Sequence, residues 1–320
     1  MTRVLITGAA GFLGQRLCRM LVAKGALTGS DGVSRPVTDI HLSDIVDAAP
    51  PAPGSITITN RRGDLSDPGF VRELSESGFD SIFHLASFLT LQAEQDPEHA
   101  YAVNVEALRQ LVSTAPHCPK VVFASSIAVF GGDLPDVVDD HVAPAPATTY
   151  GTHKAINELL IADYSRHGRI DGRSLRLPIV LLRAGAAQPA VSDRVAAIVR
   201  EPLGGQDTVS PLRAETRIPV ASVGAVCRAL LQVHDLPAYK LPPQRVMNLP
   251  ALTVSVSDMA ESIRRNGGKG GITFAEDPVM QAIVDGWPKQ FVSERATQAG
   301  IGADPDFDAI IADYLANRTG

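Results

Sequence analysis

Three glycines set between a strand and a helix constrain this chain most. Arg3–Thr7 is a short apolar run with strand character that leads into Gly8-Ala9-Ala10-Gly11-Phe12-Leu13-Gly14. Phe12–Lys24 then places Phe12, Leu13, Leu17, Met20 and Leu21 at the spacing of one helix face. In such a junction the first glycine allows the tight turn and the second lets backbone approach a pyrophosphate. The third lets the helix lie close to the sheet. Backbone N–H groups and the helix dipole at Phe12 and Leu13 favour a diphosphate. A plain strand–helix turn would also use glycine, but the junction's position makes a dinucleotide site the stronger reading.

The rest of the first half repeats the alternation. Gly25–Pro36 reads as a surface loop, Val37–Ser43 as a second strand ending at Asp44, and Ile56–Thr59 as a third. Asp67 and Pro68 cap and open a helix through Leu74. Strands are expected at Ser81–Leu85, Lys120–Ser125 and Arg173–Leu177, with long helices at Glu98–Thr114 and Thr149–Arg166. This alternation predicts an α/β fold, a Rossmann-type doubly wound parallel sheet over residues 1–177. Residues 178–320 are more irregular and predict a smaller, mixed α/β substrate lobe. Helices are expected there at Ser192–Arg200, Val220–His234, Ser255–Asn266 and Pro305–Ala316, with a strand at Val246–Leu249.

Composition excludes several function classes. A net charge of −6 argues against a nucleic-acid partner, which needs a basic face. The sequence has no apolar run of about 18 residues to span a membrane, and the N-terminal apolar stretch is too short for a signal peptide. Cys18, Cys118 and Cys227 are odd in number and widely spaced, so neither a metal site nor a disulfide framework is expected, and the thiols suit a reducing cytoplasm.

A carboxylate ending the second strand would hold the adenosine ribose and repel a 2′-phosphate, which selects NAD over NADP. Asp44, with Ile45 beside it, has the position for this. Asp31 fits the spacing from Gly14 better but reads as a turn residue. Asp64-Leu65 follows the third strand, where a carboxylate can meet the adenine amino group.

Tyr150 and Lys154 are four apart on a helix and share a face. Tyrosine ionises near pH ~10. A neighbouring ammonium and a cationic nicotinamide ring both favour the phenolate, so a lowered pKa is expected. The phenolate can then act as general base to a hydroxyl. Ser126, at the carboxyl end of a strand, can orient the reacting oxygen. Asn104, in the preceding long helix, is a candidate to hold a water or a bent backbone near the site, or an ordinary helix-surface residue.

These residues, with His84-Leu85-Ala86, Asn104-Val105, Ser125 through Gly131, Tyr150 through Lys154 and Leu175-Arg176-Leu177-Pro178, resemble the extended short-chain dehydrogenase/reductases in order and spacing. The resemblance implies bound NAD, with Leu85, Ala86, Ser87, Asn104, Tyr150, Lys154 and Pro178 among its contacts, and Ser126, Tyr150 and Lys154 as the catalytic group. It also implies a homodimer that pairs two long helices from each subunit. Beyond Pro178, Arg200 through Leu203, Asp277 through Met280 and Gly286-Trp287-Pro288 are similar to a subgroup that oxidises the C2 hydroxyl of D-erythronate to the 2-oxo acid. A sugar acid calls for a fixed cation, and Arg183 and Arg217 are the candidates. Ser87 and Ser192 are candidates for hydroxyl contacts. Asp193 sets a carboxylate in the same stretch, where it would repel an acid. Two other readings stay open: a nucleotide-sugar 4-epimerase of the same fold, and a non-catalytic NAD-binding protein.

Overall fold

The computed structural model describes residues 1–52, 54–182 and 191–317. In chain order the strands are β1 (Thr2–Thr7), β2 (Ala26–Thr28), β3 (Ser34–Asp44), β4 (Thr57–Arg62), β5 (Ser81–His84), β6 (Lys120–Ser126), β7 (Val137–Val138) and β8 (Asp171–Leu177). They continue as β9 (Ile179–Val180), β10 (Thr208–Ser210), β11 (Arg217–Ala221), β12 (Val246–Asn248), β13 (Leu252–Ser255), β14 (Ile272–Phe274) and β15 (Gln290–Phe291). The helices of the first half are α1 (Phe12–Lys24), α2 (Pro68–Glu76), α3 (Thr90–Gln95), α4 (Pro97–Tyr101), α5 (Ala107–Ser113) and α6 (Thr149–Arg166). Those of the second are α7 (Val191–Leu203), α8 (Val223–Asp235), α9 (Val256–Arg265), α10 (Pro278–Asp285), α11 (Glu294–Gln298) and α12 (Phe307–Asn317).

Two compact units arise from this chain, and both are discontinuous. The first comprises Met1–Val129, Thr148–Arg176 and Cys227–Met247. Its sheet has the order β12-β8-β6-β5-β1-β3-β2, with β4 also pairing β3. Strand β1 runs parallel to β3 and β5, and β5 parallel to β6. The central strands read almost wholly buried, as a sheet covered on both faces requires. Leu5, Leu74, Leu108, Val121, Phe123 and Ile161 belong to one core cluster that joins the sheet to α2, α5 and α6. The second unit comprises Phe130–Ala147, Leu177–Val226 and Asn248–Gly320. It holds three small sheets, β13-β11-β9, β10-β14 and β15-β7.

Helix bounds follow local chemistry. Helix α1 stops where Gly25 turns left-handed at φ 69°. Thr148 caps α6 by accepting a hydrogen bond from the Gly151 N–H at 3.0 Å, and Asp67 caps α2 with Pro68 in its first turn.

Three expectations are corrected. Residues 25–36 are not a bare loop: β2 pairs antiparallel with the start of β3 around a turn at Gly29–Val33. The long helix expected at Glu98–Thr114 runs without a gap over residues 97–113, but it is not regular: a π-helical turn at Ala102–Glu106 separates α4 from α5. Residues 217–221 form β11, so the helix expected from Val220 begins at Val223 instead.

Candidate active site

The glycine turn is built as a cradle. Gly8 sits at φ 69°, and a Cβ there would lie 2.7 Å from the Ala86 nitrogen. A Cβ on Gly14 would lie 2.4 Å from the Gly8 carbonyl oxygen, so the close seating of α1 requires glycine. Gly11 is different: it is exposed, and only the Gly8 carbonyl oxygen comes near its missing side chain. Gly11 is also the N-cap of α1 and has no side chain to satisfy the first N–H groups. A helix start left open in this way suits a diphosphate.

Asp44 ends β3 beside that turn. One carboxylate oxygen accepts from the Ala10 N–H at 2.9 Å, the other from the Ile45 N–H at 2.8 Å. Asp31 instead pairs with Arg35 within the β2–β3 turn. Ile45 is exposed. Asp64 is exposed and accepts from the Ser66 N–H at 2.8 Å, while Leu65 beside it is buried. Leu85, Ala86 and Ser87 follow β5 and are half-buried, and Pro178 is buried between β8 and β9.

Asn104 lies inside the π-helical turn and is buried. Its amide oxygen accepts from the Phe88 N–H at 2.7 Å and the Ser87 hydroxyl at 3.0 Å, and its amide nitrogen donates to the Phe88 carbonyl at 3.1 Å. The side chain therefore clasps the segment after β5 on both edges. Asn157 of α6 donates to the Asn104 carbonyl at 2.6 Å, satisfying a backbone oxygen within the π turn.

Ser126 ends β6, and Tyr150 and Lys154 stand on α6. The Lys154 ammonium donates to the Ala124 carbonyl at 2.8 Å and lies 4.7 Å from the Phe123 ring centre and 5.4 Å from that of Tyr150. Burial brings Lys154 down to about 7, with Glu158 pulling the other way. Burial pushes the Tyr150 phenol up to about 12, opposed by the Ser126 hydroxyl. The lowered tyrosine expected from the sequence is thus absent from the chain by itself: burial disfavours the phenolate, and the Ser126 hydroxyl offsets only part of this.

Some site neighbours carried too little signal to be singled out. Thr7 hydrogen-bonds His84 Nδ1 at 2.9 Å, and His84 Nε2 is buried without a hydrogen-bond partner. Burial, with Lys154 nearby, holds His84 near 3 and so neutral. Asn157 was detectable in principle, because seven residues beyond Tyr150 falls on the same helix face.

Of the residues proposed to face substrate, Arg183 lies outside the described residues. Arg217 is exposed at the start of β11, and Ser192 is half-buried in the first turn of α7. Asp193 is buried and pairs with Arg200 two helix turns further on, at 3.3 Å, which offsets the charge expected to repel an acid. Among the described residues no cluster of His, Cys, Asp or Glu could hold a metal ion, and no helix is long and apolar enough to cross a membrane.

The NAD dependent epimerase/dehydratase family matches residues 4–249, and the chain belongs to that family. It is 39% identical over 318 residues to the D-erythronate dehydrogenase of Cupriavidus necator, covering 98% of this chain and 97% of that protein. It is 36% identical over 320 residues to the D-erythronate dehydrogenase of Haemophilus influenzae, covering 98% of each. A crystal structure described as a nucleoside-diphosphate-sugar epimerase from Agrobacterium tumefaciens matches with a TM-score of 0.92 at 34% identity, covering 100% of this chain and 95% of that one. The chain is an NAD-dependent oxidoreductase of this family.

Proposed function

We propose that this protein is a sugar-acid dehydrogenase that oxidises the C2 hydroxyl of D-erythronate to 2-dehydro-D-erythronate. The observation that carries the reading is likeness over nearly the whole chain to two proteins named for that activity. The placement of Ser126, Tyr150 and Lys154 at the carboxyl end of β6 supports the chemistry.

Bound NAD supplies the hydride acceptor. Its diphosphate would rest on the N–H groups at Gly11, Phe12 and Leu13, with Gly8 and Gly14 shaping the turn. Asp44 would take the adenosine ribose beside Ile45, and Asp64 and Leu65 the adenine. Leu85, Ala86, Ser87, Asn104, Lys154 and Pro178 would line the nicotinamide half. The Tyr150 oxygen takes the proton of the substrate hydroxyl, and the Ser126 hydroxyl fixes that oxygen's direction. Each pH unit by which the phenol is brought down takes about 1.4 kcal/mol. A protonated Lys154 contributes to this once the site is closed to water. Arg183 or Arg217 would clamp the substrate carboxylate, with Ser87 and Ser192 on its hydroxyls. By family resemblance the protein works as a cytoplasmic homodimer, with the substrate lobe drawn from residues 178–320 apart from Cys227–Met247, which belong to the first unit.

Incubating the protein with NAD and a panel of four-carbon aldonates tests the assignment: NADH absorbance grows with D-erythronate. Tyr150→Phe should cut turnover at least about a hundredfold while NAD binding survives; a loss of less than about tenfold would refute the proton-transfer role. The name of the Agrobacterium structure favours a second reading, a nucleotide-sugar epimerase. That reading predicts tightly kept NAD, conversion of a nucleoside-diphosphate sugar and no net NADH.

A further inference from the structure

Three consecutive residues at the end of β6 are each met by one residue on a single face of α6. Lys154 donates to the Ala124 carbonyl at 2.8 Å, and the Ser125 hydroxyl donates to the Glu158 carboxylate at 2.6 Å. Ser126 acts on Tyr150. Positions 150, 154 and 158 are spaced by one helix turn. The Glu158 contact is the anchored one. One carboxylate oxygen accepts from Ser125 and from Arg176 Nε at 2.8 Å, and the other accepts from Arg176 Nη2 at 2.7 Å. Glu158, Arg176 and Ser125 are all buried.

A bidentate pair of this kind is geometrically stiff. It gains little net stability once desolvation is counted, so fixing an arrangement is the better account of its presence. Here it joins α6, β6 and β8, the last carrying Arg176.

We propose that Glu158 is a positioning residue for the Ser126–Tyr150–Lys154 group: held by Arg176, it ties Ser125 to α6 and so sets the register of Ser126 against Tyr150. This rests on the dehydrogenase reading above. Glu158 also supplies the negative charge that favours the Lys154 ammonium. The titratable groups facing Lys154 are Tyr150 and Glu158 on its own helix and His84 at the end of β5, while Glu94 of α3 acts on His153.

Two variants test the proposal, each measured for kcat, for NAD dissociation constant and for the Lys154 titration by NMR of isotope-labelled lysine. Ser125→Ala removes the tie and leaves every charge in place. It should lower kcat at least about threefold, with NAD affinity within about twofold and the lysine titration unmoved. A smaller fall in kcat overturns the proposal, whether or not Glu158→Gln folds. A folded Glu158→Gln should lower kcat at least about tenfold and move the Lys154 titration to lower pH. An unmoved titration would overturn the electrostatic half. If Tyr150→Phe stays inactive while both variants behave as wild type, the positioning role fails and the dehydrogenase reading stands. If Tyr150→Phe turns over normally, that reading itself fails.

Discussion

The large sheet buries a lysine at each end and uses the two differently. At the carboxyl end, Lys154 has one carbonyl partner and two aromatic faces, and His84 keeps a ring nitrogen without a partner. At the amino end, Lys120 donates to the Thr28 carbonyl at 2.8 Å and the His234 carbonyl at 3.0 Å. Fully buried Arg173 donates to the carbonyls of Val233, His234 and Leu236 and pairs with Asp171. Both ring nitrogens of His234 are occupied, by the Ser81 hydroxyl at 2.8 Å and the Asp235 carboxylate at 2.9 Å. These cations satisfy carbonyls that α8 leaves open at its end, where its dipole is negative. Burial depresses both lysines alike, Lys120 to about 8 and Lys154 to about 7. A shifted pKa therefore does not separate the lysine proposed to take part in the chemistry from a structural one. The number of partners does differ: Lys120 meets two carbonyls and Arg173 Nη1 three, although Arg173 Nε has none, whereas Lys154 meets one.

Substitutions at the two ends should fail in different measurements. Lys154→Met should cost turnover about a thousandfold, roughly 4 kcal/mol of barrier, while the denaturant midpoint stays level or rises because a buried charge is gone. Steady-state rates and urea unfolding of one preparation read both effects. Arg173→Met should reverse the pattern. It takes this donor from the Val233 and Leu236 carbonyls and leaves the buried Asp171 with Arg245 alone, and should lower stability by about 3 kcal/mol, with turnover per folded molecule unchanged. Lys120→Met, which takes the lysine from the Thr28 carbonyl while the His234 carbonyl keeps Arg173, should cost about 1–2 kcal/mol by the same unfolding assay.

The smallest effect is on pH dependence. His84 and His234 are held near 3 and about 4, below the ordinary 6.5, so the unfolded chain binds protons that the folded one refuses. Stability contributed by these neutral rings is present above about pH 6.5 and is lost as pH falls towards 4. Each histidine should give a slope of up to about 1.4 kcal/mol per pH unit. Urea midpoints between those values, with His234→Gln and His84→Gln compared, would assign the slope to one end or the other. A flat profile in the wild type would remove the argument for both rings.

Much of the carboxyl end could be read from sequence because its signals are local. Helix α1 has the bounds that apolar spacing and Gly25 predict, and α6 those set by its period and by Thr148. The amino end depends on distant pairs: Ser81 meets His234 across 153 residues, and Lys120 meets His234 across 114. No periodicity reports such contacts. The β2–β3 turn was hidden because β2 has three residues beside a stretch rich in Gly and Ser. The π-helical turn was hidden because apolar spacing continues through Val103, Val105 and Leu108 and a single extra residue per turn leaves no mark. Glu158 and Arg176 read as ordinary charged positions, since pairing inside a core cannot be told from solvation on a surface without coordinates.

Strand β12, which closes the sheet against β8, is formed by Val246–Asn248, some 70 residues after β8 ends. The carbonyls that receive Lys120 and Arg173 lie at residues 233–236. While the chain is being made, β6 and β8 therefore emerge before the carbonyls of residues 233–236 that their two cations meet, and with one strand edge bare. A nascent or cleaved chain ending at Leu177 would hold every residue of the glycine turn and the Ser–Tyr–Lys group and still present that open edge to other chains. Chaperone dependence and edge-to-edge association should concentrate in this window of synthesis. The cations with the most carbonyl partners in the finished protein are the ones whose partners its synthesis supplies last.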